Sequence, residues 1–148
     1  MRIVIGSDHA GFSLKATIVD HIKSLGHQVH DVGSYDPSPV DFPDIAKAVT
    51  SSIVNDQADR GLLVCGTGVG ASIAANKVKG IRAAVCHDVH SAHQSVEHDD
   101  VNVMCIGAQI VGAWLAKDLV SAYLEAEFST DEDFRRRVRK LAEMDESR

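Results

Sequence analysis

The sequence predicts an α/β fold, a doubly wound, Rossmann-like three-layer sandwich with a five-stranded parallel sheet and a C-terminal helical tail. Short apolar runs recur along the chain, and a helix-like segment separates each run from the next. Strands that alternate with helices in this way form right-handed βαβ units, whose helices cover both faces of a parallel sheet. The predicted strands lie near 2–7, 28–32, 61–65, 81–86 and 102–107. The predicted helices lie near 11–25, 43–55, 70–78, 89–97 and 112–127.

Individual elements carry their own signals. The first strand begins directly after Met1 with an apolar run, and the helix that follows is ended by Gly26. The third strand contains Leu62, Leu63 and Val64 and leads into a helix-like segment at 71–77. In such a sheet, ligands bind beyond the carboxyl ends of the strands, near the point where the strand order reverses. We therefore expect the functional residues to follow strands.

Length and composition fit one domain and exclude several classes of protein. A chain of 148 residues with 45% hydrophobic residues can build one sizeable core, which we assign to residues 1–128. The formal charge of −6 argues against a non-specific nucleic-acid binder. No run of about 18 apolar residues is present to span a membrane. The start of the chain lacks the pattern of a signal peptide, so we expect a cytoplasmic protein.

Residues 129–148 form the predicted tail, a charged amphipathic helix. Acidic residues at 131–133 suit the first turn of a helix, and basic residues follow them. Phe134, Val138 and Leu141 stand at helical spacing, so one side of the helix can dock on the domain or on a partner subunit. The basic residues are either merely solvated or form a phosphate clamp across a dimer interface.

Cysteines and histidines are the residues most able to form metal or disulfide sites. Three cysteines occur without CxxC spacing, which favours neither a disulfide framework nor structural zinc: Cys65, Cys86 and Cys105. His87, His90 and His93 stand three apart and could share an ion on one side of a helix. Because their stretch is polar, we interpret them as solvated helix-surface histidines and predict no metal.

Residues 65–70, Cys-Gly-Thr-Gly-Val-Gly, form the most informative motif, which we call the glycine turn. Glycines at alternate positions let the backbone direct its N–H groups toward one point, and the following helix adds its positive end. The motif is neither the dinucleotide fingerprint nor a P-loop. Cys65 stands where a thiolate is stabilised, although a small, buried, inert cysteine is the alternative.

Other polar residues lie at strand or helix ends. Asp8 and His9 follow the first strand and Gln109 follows the fifth, whereas His98 and Asp99 precede the fifth strand. Asp8 taken alone suits a turn or helix cap, and His98 alone suits a surface helix end. Two arrangements are open for His98. Either the tertiary structure, which the sequence does not give, brings it close to the other groups, or it belongs to the site of a neighbouring subunit.

Together these groups fit proton transfer beside a carbonyl. Cys65 as a thiolate can remove a C–H proton, while Thr67 and the N–H groups of the glycine turn stabilise the resulting enediolate. Asp8 and His98 can move protons on oxygen during ring opening of a sugar. Alternatively, the thiol attacks a carbonyl covalently, which requires a base paired with Cys65.

Several motifs occur together in one order. They are GSDHAGF with Leu14-Lys15, then Asp41-Phe42-Pro43, CGTGVGASIAANK, GIRAAVC, and His98 before Asn102-Val103. With them the chain resembles the ribose-5-phosphate isomerase B family, which also includes galactose-6-phosphate isomerase subunits. The resemblance covers residues 1 to about 128. It implies an aldose–ketose isomerase that acts on a sugar phosphate through an enediolate, with ribose 5-phosphate to ribulose 5-phosphate as the first expectation.

The resemblance also implies roles for individual residues. Cys65 is similar to the family's base and Thr67 to its polar helper, while Asp8 and His98 match the ring-opening positions. It further implies no cofactor and a homodimer or homotetramer with sites at the subunit interface. The residues implied to bind substrate are Asp8, His9, Gly66, Thr67, Gly68, Val69, Gly70, Asp99 and Arg137.

The chain departs from the family pattern where the substrate binds. Asp99 replaces a common asparagine, Gln109 stands in place of an arginine, and acidic residues at 130–133 replace a Gly-Gly-Arg-His segment. Arg137 still matches a family arginine. The sugar identity therefore stays open among ribose 5-phosphate, a tetrose phosphate such as erythrulose 4-phosphate, a hexose phosphate and a less phosphorylated sugar. A non-catalytic sugar-phosphate-binding module is the remaining alternative.

Overall fold

Five parallel strands form one sheet, in the order β2-β1-β3-β5-β4, in a computed structural model that describes residues 1–148. The strands are β1 (Arg2–Ser7), β2 (Gln28–Asp31), β3 (Arg60–Cys65), β4 (Ala83–Val85) and β5 (Val103–Gly107). The helices are α1 (Phe12–Ser24), α2 (Phe42–Val54), α3 (Val69–Ala75), α4 (Val89–Asp99), α5 (Ala113–Glu125) and α6 (Glu132–Glu146). The predicted three-layer fold and its C-terminal helix are confirmed.

The fourth strand and the third helix are shorter than predicted. Asn76 follows α3, and its side-chain amide donates to the Ala83 carbonyl at 2.9 Å and accepts from the Ala83 N–H at 2.9 Å. This pairing ties the end of α3 to the start of β4. β4 is three residues long and pairs only with β5, at the edge of the sheet.

Alternating side chains divide the core between the two faces of the sheet. Ile5 and Leu62 belong to the larger core cluster, which contains Ile18 of α1 and Leu119 of α5. Leu63 and Cys65 of β3 belong to the other cluster, which includes residues of α2 and α3. The thiol therefore lies on the α2 and α3 side, at the last position of its strand.

The segments that follow β1, β3 and β5 meet at one edge, which we call the carboxyl edge. In the strand register Ser7 lies beside Val64, and Cys65 lies beside Gly107. The order along the sheet reverses at β1, with β2 on one side and β3 on the other. A crevice beyond this point is where open α/β sheets bind their ligands. Gly11 permits the close approach, because a Cβ there would lie 2.1 Å from the Val64 carbonyl oxygen.

The opposite side, where the strands begin, is the amino edge, and α6 lies there. The Ser129 N–H donates to the Glu97 carbonyl at 2.9 Å, which fixes the approach to α6 at the end of α4. Near the other end of α6, Asp145 accepts from the Gly80 N–H at 2.6 Å and Glu146 pairs with Lys79 at 2.8 Å. No residue of α6 is buried. The helix is thus held on this protomer's own surface, largely by polar contacts.

The docking face of α6 differs in part from the sequence pattern. Phe134 and Val138 are half-buried, whereas Leu141 is exposed.

Among the six helices, none combines the length and the hydropathy that a bilayer crossing requires.

Candidate active site

The Cys65 thiol lies within the glycine turn at the carboxyl edge. Its side chain is buried, and Sγ accepts a hydrogen bond from the Gly68 N–H at 3.0 Å. The Val69 N–H contacts the Thr67 hydroxyl oxygen at 3.3 Å. Gly68 has a φ of +83°, which an L side chain rarely adopts. The turn thus brings a thiol, a hydroxyl and the first N–H groups of α3 close together.

The residues at and after the end of β5 pack against the glycine turn and hydrogen-bond to it. The Ala108 N–H donates to the Cys65 carbonyl at 2.8 Å, and the Gln109 N–H donates to the Gly66 carbonyl at 3.0 Å. A Cβ at Gly107 would lie 2.6 Å from the Thr67 Cα, so the two backbones touch directly. Backbone packing therefore fixes the turn.

Asp8 lies at the same edge, beyond the end of β1. Its Oδ1 accepts from the Gly11 N–H at 3.0 Å, and its own N–H donates to the Val64 carbonyl at 3.3 Å. The turn role considered for Asp8 is therefore present. The Oδ2 atom makes no protein hydrogen bond and is not sealed from solvent, so it is available to a ligand.

His9 and Gln109 also border this edge. The exposed His9 ring accepts from the Val40 N–H at 3.2 Å through Nδ1, which leaves Nε2 facing no protein partner. The Gln109 carboxamide lies over Gly66, where its atoms would be 3.2–3.3 Å from an added Cβ. Gln109 therefore covers the glycine turn at the place where the family pattern has an arginine.

His98 and Asp99 lie at the amino edge, away from Cys65. Both are in the last turn of α4, before β5 begins at Val103, whereas Cys65 lies beside Gly107 at the other end of β5. Four strand residues at about 3.3 Å each place these ends about 13 Å apart. One protomer therefore does not bring His98 to Cys65. Asp99 lines a separate groove of about 750 Å³ that lies between α6 and the start of β4.

Arg137 differs from Arg136 and Arg139 of α6 and is similar to Arg135, whose guanidinium lies over the Phe128 ring. Arg136 pairs with Asp133, and Arg139 pairs with Glu132. Arg137 has no carboxylate partner, and its Cζ lies 5.6 Å from the centre of the Phe134 ring. It too lies on the amino-edge helix, close to His98 and remote from the glycine turn.

The interpretation of three solvated helix-surface histidines is wrong for His87. His87 precedes α4, and its Nε2 accepts from the Gly107 N–H at 2.9 Å. Burial lowers the pKa of His87, while the nearby Asp88 carboxylate acts in the opposite direction. His93 lies on α4 and contacts Glu97 at 3.0 Å. No group of three or more His, Cys, Asp or Glu side chains in the structure is arranged to hold a metal ion.

His87 was missed as a contributor to this edge. Its position directly after a strand was an available signal, because residues there reach the carboxyl edge. The covalent alternative for Cys65 requires a base paired with the thiol. The hydrogen bond at Sγ comes from a backbone N–H, and no histidine ring bonds to the sulfur.

Comparison with known proteins shows the family to which the chain belongs. The Ribose/Galactose Isomerase family matches residues 3–141. Ribose-5-phosphate isomerase B of Escherichia coli (strain K12) is 45% identical over 127 residues, covering 86% of this chain and 85% of that protein. D-erythrulose-4-phosphate isomerase of Pectobacterium atrosepticum is 44% identical over 131 residues, with 86% and 85% covered.

A solved structure of Clostridium thermocellum ribose-5-phosphate isomerase B is 44% identical and superimposes with a TM-score of 0.96 over 99% of both chains. The fold is thus that of a ribose-5-phosphate isomerase B structure. The chain belongs to the Ribose/Galactose Isomerase family and is a sugar-phosphate isomerase of the aldose–ketose type.

Proposed function

We propose that this protein interconverts ribose 5-phosphate and ribulose 5-phosphate through a cis-enediolate, with Cys65 as the base. The observation that carries the proposal is the glycine turn. It holds the Cys65 sulfur 3.0 Å from the Gly68 nitrogen, beside the Thr67 hydroxyl and the start of α3. A base placed next to preorganised N–H donors suits removal of a proton alpha to a carbonyl.

The reaction needs no net change in redox state. After the furanose ring opens to the aldehyde, the Cys65 thiolate takes the proton from C2, and the C–H electrons form the C1–C2 double bond. Negative charge then develops on O1, near the N–H groups of residues 66–70 and the Thr67 hydroxyl. The O2 proton then moves to O1 as the C2–O2 double bond forms, and the Cys65 thiol returns its proton to C1, which gives the ketose and restores the thiolate.

Ring opening requires proton transfer on oxygen, for which we propose Asp8 and His98. Asp8 lies at the carboxyl edge with one carboxylate oxygen free of protein hydrogen bonds. His98 lies at the amino edge, so we propose that a second copy of the chain brings its His98, Asp99 and Arg137 to the Cys65 site. The protein then acts as a homodimer or larger assembly, with His9 and Arg137 facing the phosphate.

Erythrulose 4-phosphate, which is one carbon shorter, is the second candidate substrate. The relatives named for the two sugars are 45% and 44% identical to this chain, so identity does not separate them. Gln109 lies over the glycine turn. The family pattern has an arginine there, so this chain lacks one positive charge that could bind the phosphate. Ribose 5-phosphate remains our first candidate because the superimposable structure is named for it.

The test is isotope exchange. Sugar phosphates of four, five and six carbons are incubated with the protein in deuterated water, and exchange next to the carbonyl is followed by NMR. We expect isomerisation and exchange with ribose 5-phosphate. Cys65→Ala should lower exchange by about 10²–10⁴-fold while substrate binding is kept, since a positioned base contributes that factor.

Cys86→Ala is the matched control. Cys86 is also buried, but it lies outside the glycine turn, so this variant should keep its activity. No exchange with any sugar phosphate would refute the isomerase assignment for these substrates. Equal loss of binding and turnover in Cys65→Ala would show that Cys65 is structural.

A further inference from the structure

Phe134, in the first turn of α6, contacts two residues of the proposed site. Its ring stacks on the His98 ring with centroids 3.9 Å apart and planes 13° apart. The Arg137 guanidinium lies over the same ring, with Cζ 5.6 Å from its centre. Phe134 is thus in contact with both the proposed ring-opening histidine and the proposed phosphate-binding arginine.

The backbone around Phe134 fixes its place relative to α4. The Ser129 N–H donates to the Glu97 carbonyl, one residue before His98. The Asp131 side chain then accepts from the Asp133 N–H at 2.8 Å and caps the start of α6. These two contacts immediately precede Phe134 in the chain. They therefore fix the position in which the Phe134 ring stacks on the His98 ring.

Arg137 relies on this ring because it has no ionic partner. Arg136 and Arg139 are each paired with an acidic residue of the first turn, whereas Arg137 contacts the Phe134 ring. Aromatic stacking and cation–π contact hold planar groups in place without consuming their hydrogen-bond donors. The Arg137 donors therefore remain available for an anionic ligand.

We propose that Phe134 is a positioning residue that sets the separation between the His98 ring and the Arg137 guanidinium, and that it thereby selects sugar phosphates by chain length. The inference rests on the proposed function, in which His98 acts at the carbonyl end and Arg137 at the phosphate. Each added carbon lengthens the distance between those two ends of an extended substrate. A rigidly spaced pair of protein groups therefore favours one length over its neighbours.

The experiment compares Phe134→Leu with Phe134→Tyr, which keeps the ring. For each protein, kcat and KM are measured with ribose 5-phosphate, erythrulose 4-phosphate and a hexose 6-phosphate. We expect Phe134→Leu to raise KM for the preferred sugar about two- to fivefold, since the cation–π contact is lost. Its preference between sugars should fall by about two- to tenfold, because stacking no longer fixes His98. Phe134→Tyr should restore both.

A second readout separates the two contacts. Ribulose 5-phosphate has no ring to open, because its O5 is phosphorylated, so deuterium exchange at its C1 reports enediolate formation alone. In Phe134→Leu, kcat for ribose 5-phosphate should fall more than C1 exchange of ribulose 5-phosphate does. The rise in KM, which comes from the lost contact between residue 134 and Arg137, should appear with both sugars.

Phe128→Leu is the matched control, because the Phe128 ring lies under Arg135 at 4.7 Å, whereas the His98 stack and the Arg137 contact belong to Phe134. It should leave the preference unchanged. If Phe134→Leu does not fold, Phe134→Trp carries the test, since a larger ring should change the preference between sugars. An active wild type whose Phe134 variants keep the same preference overturns this inference alone. A wild type that is inactive on every sugar overturns the proposed function as well.

Discussion

The carboxyl edge and the amino edge of the sheet are stabilised by different kinds of interaction. At the carboxyl edge, the glycine turn packs backbone to backbone against β5, and its thiol is buried. At the amino edge, α6 has no buried residue and is held mainly by hydrogen bonds and ion pairs at the surface. Exposed ion pairs contribute about 0–1 kcal/mol each to stability. The amino edge can therefore change in sequence at little cost to the fold, while the carboxyl edge cannot.

This difference separates reaction from recognition. The groups proposed to form and stabilise the enediolate belong to the rigid carboxyl edge. The groups that differ from the family pattern, Asp99 and the acidic start of α6, belong to the amino edge, although Gln109 does not. We infer that the chemistry is constrained by backbone packing, whereas the choice of sugar depends largely on surface side chains.

Subunit complementation gives the largest expected effect, because it tests whether the two edges meet between protomers. Cys65→Ala and His98→Ala should each be nearly inactive on ribose 5-phosphate. When the two variants are unfolded and refolded together, activity should return to about a quarter of the wild-type value, since about half of the dimers are mixed and each has one intact site. The measurement is the rate of ribulose 5-phosphate formation before and after mixing.

The control for complementation is a mixture of Cys65→Ala with a Cys65→Ala, His98→Ala double variant, in which no intact site can form. Activity that stays at the level of the separate variants, although mixed dimers are shown to form, would mean that Cys65 and His98 act within one protomer. The amino edge of one protomer would then not contribute to the site at the carboxyl edge of the other.

The sequence predicted the carboxyl edge well, because its signals are local. The apolar run before Cys65 and the glycines after it determine a strand, a turn and a helix start within a few residues. The sequence indicates Phe134 as a docking residue but does not give its partner His98, and it does not indicate that His87 contacts Gly107, because both contacts join segments distant in the chain. The separation of His98 from Cys65 likewise depends on where α4 ends relative to β5, which periodicity does not give.

A pair of glycine substitutions tests the rigidity of the two edges with matched backbone strain. Gly68 and Gly80 have φ values of +83° and +84°, but an added Cβ meets the Cys105 backbone at 3.3 Å only at Gly68. Both Gly→Ala variants should lose about 1 kcal/mol of unfolding free energy from the unfavourable φ. Gly68→Ala should also lower kcat about tenfold or more, because the N–H that faces Cys65 moves.

Denaturant unfolding and steady-state kinetics measure the two effects. Gly80 borders the amino edge beside Asp145, so Gly80→Ala should keep kcat. Equal kcat values in the two variants would show that the glycine turn tolerates displacement, and the carboxyl edge would no longer be the rigid one.

Two histidines give the smallest expected effect, which appears as a pH dependence. Burial lowers the pKa of His87 at the carboxyl edge, and burial together with the Met1 ammonium lowers the pKa of His27 at the amino edge. Each of these histidines therefore binds its proton at a higher pH in the unfolded protein than in the folded protein. Stability therefore falls as pH drops below the ordinary histidine value of about 6.5, until the folded pKa is reached.

His87→Gln and His27→Gln should each make the unfolding free energy less dependent on pH between about pH 7.5 and pH 5. Only His87→Gln should change how kcat falls with acid. The neutral His87 ring accepts from the N–H of Gly107, whose backbone packs against Thr67 of the glycine turn, and protonation removes that acceptor. His27 instead contacts the Met1 nitrogen at the far edge. Glutamine at 87 can still accept through its side-chain oxygen and does not titrate. If both variants alter the acid limb of kcat equally, the effect comes from loss of folded protein, and His87 has no local influence on the turn.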